Sequence, residues 1–130
     1  MQTESLCKAY LTALNESNLD GVLSLFAPEA TVISPLYGVI EANSFYRALF
    51  SDTQRSETRL LNIFLPSGEA SSVALHFEYI WTLSNSKQVQ FECVDVFELT
   101  PDGQQFTKLT IIYDTAPIRS DFDGRSAAHA

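Results

Sequence analysis

The sequence predicts an α+β domain, three N-terminal helices packed on a curved antiparallel sheet, with the two layers enclosing a cone. Apolar residues recur at three-to-four residue spacing up to about Phe50, and from Thr58 onward every strong pattern alternates. At 130 residues, 45% of them apolar and 12% aromatic, the chain can bury one core and not two.

The first helix follows Thr3 as N-cap, with Leu6, Cys7, Tyr10, Leu11 and Leu14 on one face and an end near Asn15. Asn18 caps a second, shorter helix with Leu19, Val22, Leu23 and Phe26 inward, stopped by Pro28. A short strand over Ala30–Ser34 is expected to end at Pro35 and Gly38. The third helix covers about Glu41–Phe50, with Phe45, Tyr46, Leu49 and Phe50 on its apolar face and SDTQRSE as a polar exit.

Strands then follow at Thr58–Leu65 and at Ser71–Leu83, where Val73, Leu75, Phe77, Tyr79, Trp81 and Leu83 alternate without a break. Two hairpins lead on to Gln88–Leu99 and Phe106–Asp114, the second through Pro101-Asp-Gly103. The domain is expected to span residues 1–119, with 120–130 as a flexible, polar C-terminal tail.

Eight basic against sixteen acidic residues give a net charge of −8, and with no basic run this excludes a phosphate-backbone partner. Cys7 and Cys93 lack zinc-ligand spacing and imply no disulfide, so reduced, cytoplasmic thiols and no metal are expected. The first residues, MQTESLCKAY, do not read as a leader, and no apolar run reaches bilayer length, so no membrane partner is expected. No phosphate-binding glycine loop occurs, and no cofactor is indicated.

One residue breaks the strand pattern. In FECVDVFEL, Phe91, Cys93, Phe97 and Leu99 share a face with Asp95. A carboxylate there must be neutral or hydrogen-bonded, and it is either a satisfied core acid or a ligand-facing one with a raised pKa. The opposite faces carry His76, Glu78, Ile80, Val94, Val96 and Ile112 among other residues, a mixture that fits a subunit interface, so a homodimer through the sheet face is expected.

The stretch YLTALNESNLDGVLSLFAPEATVISP, followed by SFYRALF and by hairpins ending in IIYDTAPIR, resembles the nuclear transport factor 2-like superfamily, and within it the ketosteroid isomerase and SnoaL-like polyketide cyclase group. The likeness spans about Glu4 to Arg119 and implies a cone-shaped α+β barrel (cystatin-like) with a deep apolar pocket. In ketosteroid isomerases a tyrosine of the first helix and a protonated acid of a late strand hydrogen-bond the oxyanion of a dienolate, and Tyr10 and Asp95 match them. Tyr46 in SFYRALF matches a supporting tyrosine. The family's general base is an aspartate where this chain has Ser34, whose hydroxyl takes no proton near neutral pH without a base of its own.

The resemblance therefore implies Tyr10 and Asp95 as catalytic oxyanion donors. Ser34, Tyr46, Phe77, Tyr79, Trp81, Cys93 and Tyr113 are read as the ligand-binding lining. Asp114 is left between the pocket, where a cyclase would place its acid/base, and the rim beside Arg119. The partner this implies is a small hydrophobic, carbonyl-bearing molecule. An isomerase or cyclase-type enzyme, a non-catalytic binding protein and a purely structural use of the sheet all stay open.

Overall fold

The computed structural model describes residues 2–68 and 71–124. Ten elements follow one another: α1 (Gln2–Asn15), α2 (Leu19–Leu23), β1 (Phe26–Ser34), β2 (Gly38–Glu41), α3 (Ala42–Ser51), β3 (Thr53–Phe64), β4 (Ser72–Leu83), β5 (Gln88–Leu99), β6 (Phe106–Ile112) and α4 (Arg119–Gly124). The expected α+β class holds, with the helices packed on a curved, unclosed sheet.

The sheet order is β2-β1-β6-β5-β4-β3. Every neighbouring pair is antiparallel except β1 and β6, which run parallel, so the sheet is mixed rather than antiparallel throughout. The reason is connectivity: β1 enters from the helical layer and pairs with the last strand of the meander, far along the chain. The β4–β5 register places Asp95 opposite Leu75, and the β5–β6 register places it opposite Ile111, so the acid sits in the middle of the sheet.

Along β4 buried and half-buried residues alternate over the whole strand, as the period-two pattern requires. The inward row of β4 and β5 packs under α1 and α3, whose buried residues include Cys7, Tyr10 and Leu14 on one and Phe45, Tyr46 and Leu49 on the other. Asn18 caps α2, its side chain accepting from the Gly21 amide at 2.9 Å.

Four elements depart from expectation. β1 begins at Phe26 rather than Ala30, because Phe26 pairs with Phe106 across a register shift, with Glu29 held at φ 67° between the two paired stretches. Its continuation is a tight hairpin, not a stop: Gly38, at φ 81°, turns the chain into β2. β3 starts at Thr53, so the polar exit of α3 is itself strand. Of the tail expected over 120–130, Ser120 to Gly124 instead continue helix α4 and bury Phe122; residues 125–130 lie outside those described.

The outer sheet face exposes Phe64 and Ile112. Beside them His76 bridges Asn62 at 3.1 Å and Glu92 at 2.8 Å, with the Phe64 ring stacked against its imidazole. No helix among the described residues is long and apolar enough to cross a membrane.

Candidate functional site

A narrow cavity opens between the helical layer and the inner sheet face. Its open space totals about 440 Å³ with the mouth included, of which about 40 Å³ admits the centre of a water molecule. The enclosed part has room for roughly three waters, so a ring-sized molecule would fill the wider mouth as well.

β5 builds one wall by parity alone: Phe91, Cys93 and Asp95 sit at alternate positions and all line the cavity. β4 supplies Phe77, Tyr79 and Trp81 by the same rule. Tyr10 reaches in from α1 and Tyr113 from the segment after β6, and Ser34 closes the end of β1. Thus eight of the nine side chains read from sequence as site residues converge on one cavity.

The ninth, Tyr46, is not in the lining. It stands behind Tyr10, fully buried, with the two hydroxyls 2.7 Å apart. Tyr10 hydrogen-bonds the Asp95 carboxyl. A hydroxyl has one proton to give, so with Tyr46 donating to Tyr10, the Tyr10 proton faces Asp95 and is the one that a ligand oxygen beside that carboxyl would take over.

Asp95 is 2% exposed. Burial pushes its pKa up to about 7, against the opposing pull of two hydrogen bonds, from the Cys93 thiol at 3.1 Å and from Tyr10. The same burial holds the hydroxyls of Tyr10, Tyr46, Tyr79 and Tyr113, and the Cys93 thiol, above their ordinary ranges, so all stay protonated at neutral pH. Among the residues lining the cavity, only Asp95 changes charge near pH 7.

Ser34 occupies the position of the general base expected from the resemblance. Its Oγ accepts from the Leu36 amide at 3.2 Å and the Tyr37 amide at 3.1 Å. Both lone pairs are committed to shaping the β1–β2 turn, which leaves only the O–H for another partner. As a proton acceptor Ser34 is doubly unsuited.

Asp114 is outside the cavity: it is exposed, and its Oδ1 accepts from the Ala116 amide at 3.0 Å, capping a turn. Arg119 donates to the Pro35 carbonyl at 3.2 Å and so ties α4 to the β1–β2 hairpin. Phe122 of α4 then packs edge-on against Tyr37 and, tilted, against Trp81.

Sequence reasoning missed Tyr37, Phe45, Leu49 and Phe91 as lining residues. Phe91 was findable, since it shares the face of Cys93 and Asp95. Tyr37 carried no signal, because it lies in the hairpin turn, where no periodicity operates. Its hydroxyl donates to Asp52 Oδ2 at 2.5 Å and pins the turn to the end of α3.

Among the described residues no cluster of His, Cys, Asp and Glu has the makings of a metal site. The arrangement offers a tyrosine hydroxyl beside a single titrating acid, in an otherwise apolar slot.

A family model described as the SnoaL-like domain matches residues 7–107. The chain belongs to the SnoaL-like domain family. Solved structures agree with this SnoaL-like fold. PrhC from Penicillium brasilianum aligns with a TM-score of 0.79 at 14% identity, covering 98% of this chain and 89% of that one. TerC, co-crystallised with polyporic acid, aligns with a TM-score of 0.77 at 12% identity, covering 95% and 99%. A protein of ketosteroid isomerase-like fold from Catenulispora acidiphila, in complex with trimethylamine, aligns with a TM-score of 0.75 at 10% identity, covering 91% and 92%. At these identities the likeness is one of fold. No curated protein sequence matches this SnoaL-like chain.

Proposed function

We propose that the cavity takes a small, largely apolar molecule by a carbonyl oxygen, held by Tyr10 and protonated Asp95. These two donors stabilise negative charge developing on that oxygen in a cofactor-free isomerisation or cyclisation. One observation carries the reading: a carboxyl 2% exposed, beside a buried tyrosine hydroxyl, keeps its proton up to about pH 7 and can therefore donate where a surface acid could not. Co-crystallisation of TerC with polyporic acid supports the use of this fold to hold a small molecule.

The test uses 2-tetralone, a flat ketone that accepts hydrogen bonds and donates none, followed by quenching of Trp81, the chain's one tryptophan. Its affinity should fall about ninefold from pH 6 to pH 8 as Asp95 loses its proton. Asp95→Asn should abolish that slope, and Tyr10→Phe should weaken binding at both pH values. Failure of the ketone to bind would end the carbonyl reading.

A second reading, a non-catalytic binding protein, is favoured by the commitment of Ser34 to two backbone amides. Exchange of the ketone's α-hydrogens in heavy water separates the two: exchange accelerated by the protein and lost in Asp95→Asn supports the enzyme, whereas binding without exchange supports the binder.

The same reading includes a homodimer through the outer sheet face, supported by Phe64 and Ile112 lying exposed on it. A strict monomer in native mass spectrometry would refute that. A cytoplasmic location belongs to it as well, supported by two buried, unpaired cysteines.

A further inference from the structure

The chemistry of the cavity wall favours a second class of ligand. Eight of its fourteen lining side chains are aromatic. Tyr79 stacks with Trp81 at 6.1 Å and 16°, Phe91 stacks with Tyr113 at 4.4 Å and 25°, and Tyr79 meets Phe91 edge-on at 5.5 Å. The two pairs therefore join into one continuous aromatic wall across β4, β5 and the segment after β6.

Aromatic π-systems attract cations. The one ionisable carboxyl of the lining is Asp95, and no Lys, Arg or His is among the lining residues. An ionised Asp95 and the wall thus act with the same sign, in a chain of net charge −8. With Asp95 ionised, carboxylate and aromatic wall together draw a cation into the slot.

We infer that the cavity is a binding site for a small lipophilic amine of the arylalkylammonium type, its N–H donating to Asp95 and its ring lying along the Tyr79, Trp81, Phe91 and Tyr113 wall. This goes beyond the carbonyl reading and does not rest on it. Both use one slot, but the ketone requires Asp95 protonated and the ammonium requires it ionised, so their pH slopes are opposite.

The groups facing Asp95 leave that slope clean. They are Tyr10 and Cys7 from α1, Tyr46 from α3, Tyr79 from β4, Cys93 on its own strand and Tyr113 beyond β6. All are held protonated and neutral at pH 6 to 8. Arg119 acts on Tyr113 and donates to the Pro35 carbonyl at the rim.

Isothermal titration calorimetry with benzylamine and with benzyl alcohol, its neutral counterpart, tests the inference on the full chain. Benzylamine stays protonated across the range, so its affinity should rise about ninefold from pH 6 to pH 8, as the ionised fraction of an acid titrating near 7 rises from about a tenth to about nine-tenths. Benzyl alcohol should stay within about twofold, since it can accept from one form of Asp95 and donate to the other. Asp95→Asn should flatten the benzylamine series, and Phe91→Leu should weaken benzylamine and benzyl alcohol alike, because the ring they share lies along the wall. Where a variant fails to fold, the wild-type pH series decides alone. Benzylamine affinity that is flat or falling with pH, that is no better than benzyl alcohol at pH 8, or that is undetectable at millimolar concentration overturns the inference. Binding of benzylamine with no binding of 2-tetralone would retire the carbonyl reading and leave this one standing.

Discussion

Asp95→Asn keeps the shape of the side chain and removes its charge, and the structure sets what that should do to stability. Burial raises the folded-state pKa of Asp95 from 3.8 to about 7. The sign follows from proton linkage: below the unfolded pKa both states carry the proton, and as pH rises the unfolded chain releases it first, so the wild type loses stability until the folded pKa is passed. The total loss is about 4 kcal/mol, of which about 2.5 kcal/mol falls between pH 5 and pH 8. Asparagine has no such term. The constant part of the substitution is a loss, because its amide group puts N–H donors where Cys93 and Tyr10 already donate. Urea denaturation of both proteins at intervals from pH 4.5 to pH 8.5 gives the difference curve, in which every other titrating group cancels. The wild type should fall relative to Asp95→Asn by about 2 to 3 kcal/mol between pH 5 and pH 8 and then level off. A difference independent of pH, or one that moves in the wild type's favour, would refute the claim that a buried neutral acid lies at the centre of this site.

Tyr46→Phe removes the hydroxyl 2.7 Å from that of Tyr10 and should cost about 1 to 2 kcal/mol in urea denaturation; a neutral change would mean that the tyrosine chain does not hold Tyr10 in place. Ser34→Ala strands the amides of Leu36 and Tyr37 and should cost about 1 kcal/mol, whereas Ser34→Asn, which can accept the same two bonds, should recover most of it. Phe122→Ala should cost about 3 to 4 kcal/mol as a large-to-small change in the core and should shift Trp81 emission to longer wavelength; unchanged emission would show that α4 does not shield the indole.

The sheet core was legible because β4 and β5 obey one rule for twelve residues each, and that rule also placed Asp95, Cys93 and the aromatic wall. The elements that escaped had lost the rule for local reasons. The first half of β3, TQRSE, is polar because β3 is an edge strand, and its inward residue, Ser56, is buried as a polar group bonded to the Tyr79 hydroxyl at 2.8 Å. Phe26 stands seven residues after Leu19, at helical spacing, yet belongs to β1; the chain leaves α2 at Leu23, and its path from there is set by pairing with Phe106. α4 carries one buried aromatic in six residues, too short a run to show a period. Tyr46 was placed in the pocket by its motif, and only the fold shows it one shell back, acting through Tyr10.

The position of Ser34 also limits the chemistry. A site with a base on one side of a ligand and acids on the other can take a proton from one atom and stabilise charge at another simultaneously. Here the acceptor across the cavity is a serine already holding two amides, and the tyrosines and Cys93 stay protonated, so Asp95 alone can both release and take up a proton near neutral pH. A single carboxyl serves both roles only in turn: ionised, it takes the α-proton while Tyr10 alone holds the oxygen, and the acid so formed returns a proton on the same face, as in enolisation of a ketone or a suprafacial hydrogen shift. That geometry makes a distinct demand on the exchange experiment. Deuterium should enter 2-tetralone at one of the two faces of its more acidic α-carbon, the benzylic C1, and the chirality of the monodeuterated product would record which. Equal labelling of both faces would mean that protons arrive from solvent and not from Asp95, and the site would then be a binder whose acid orients a ligand without converting it.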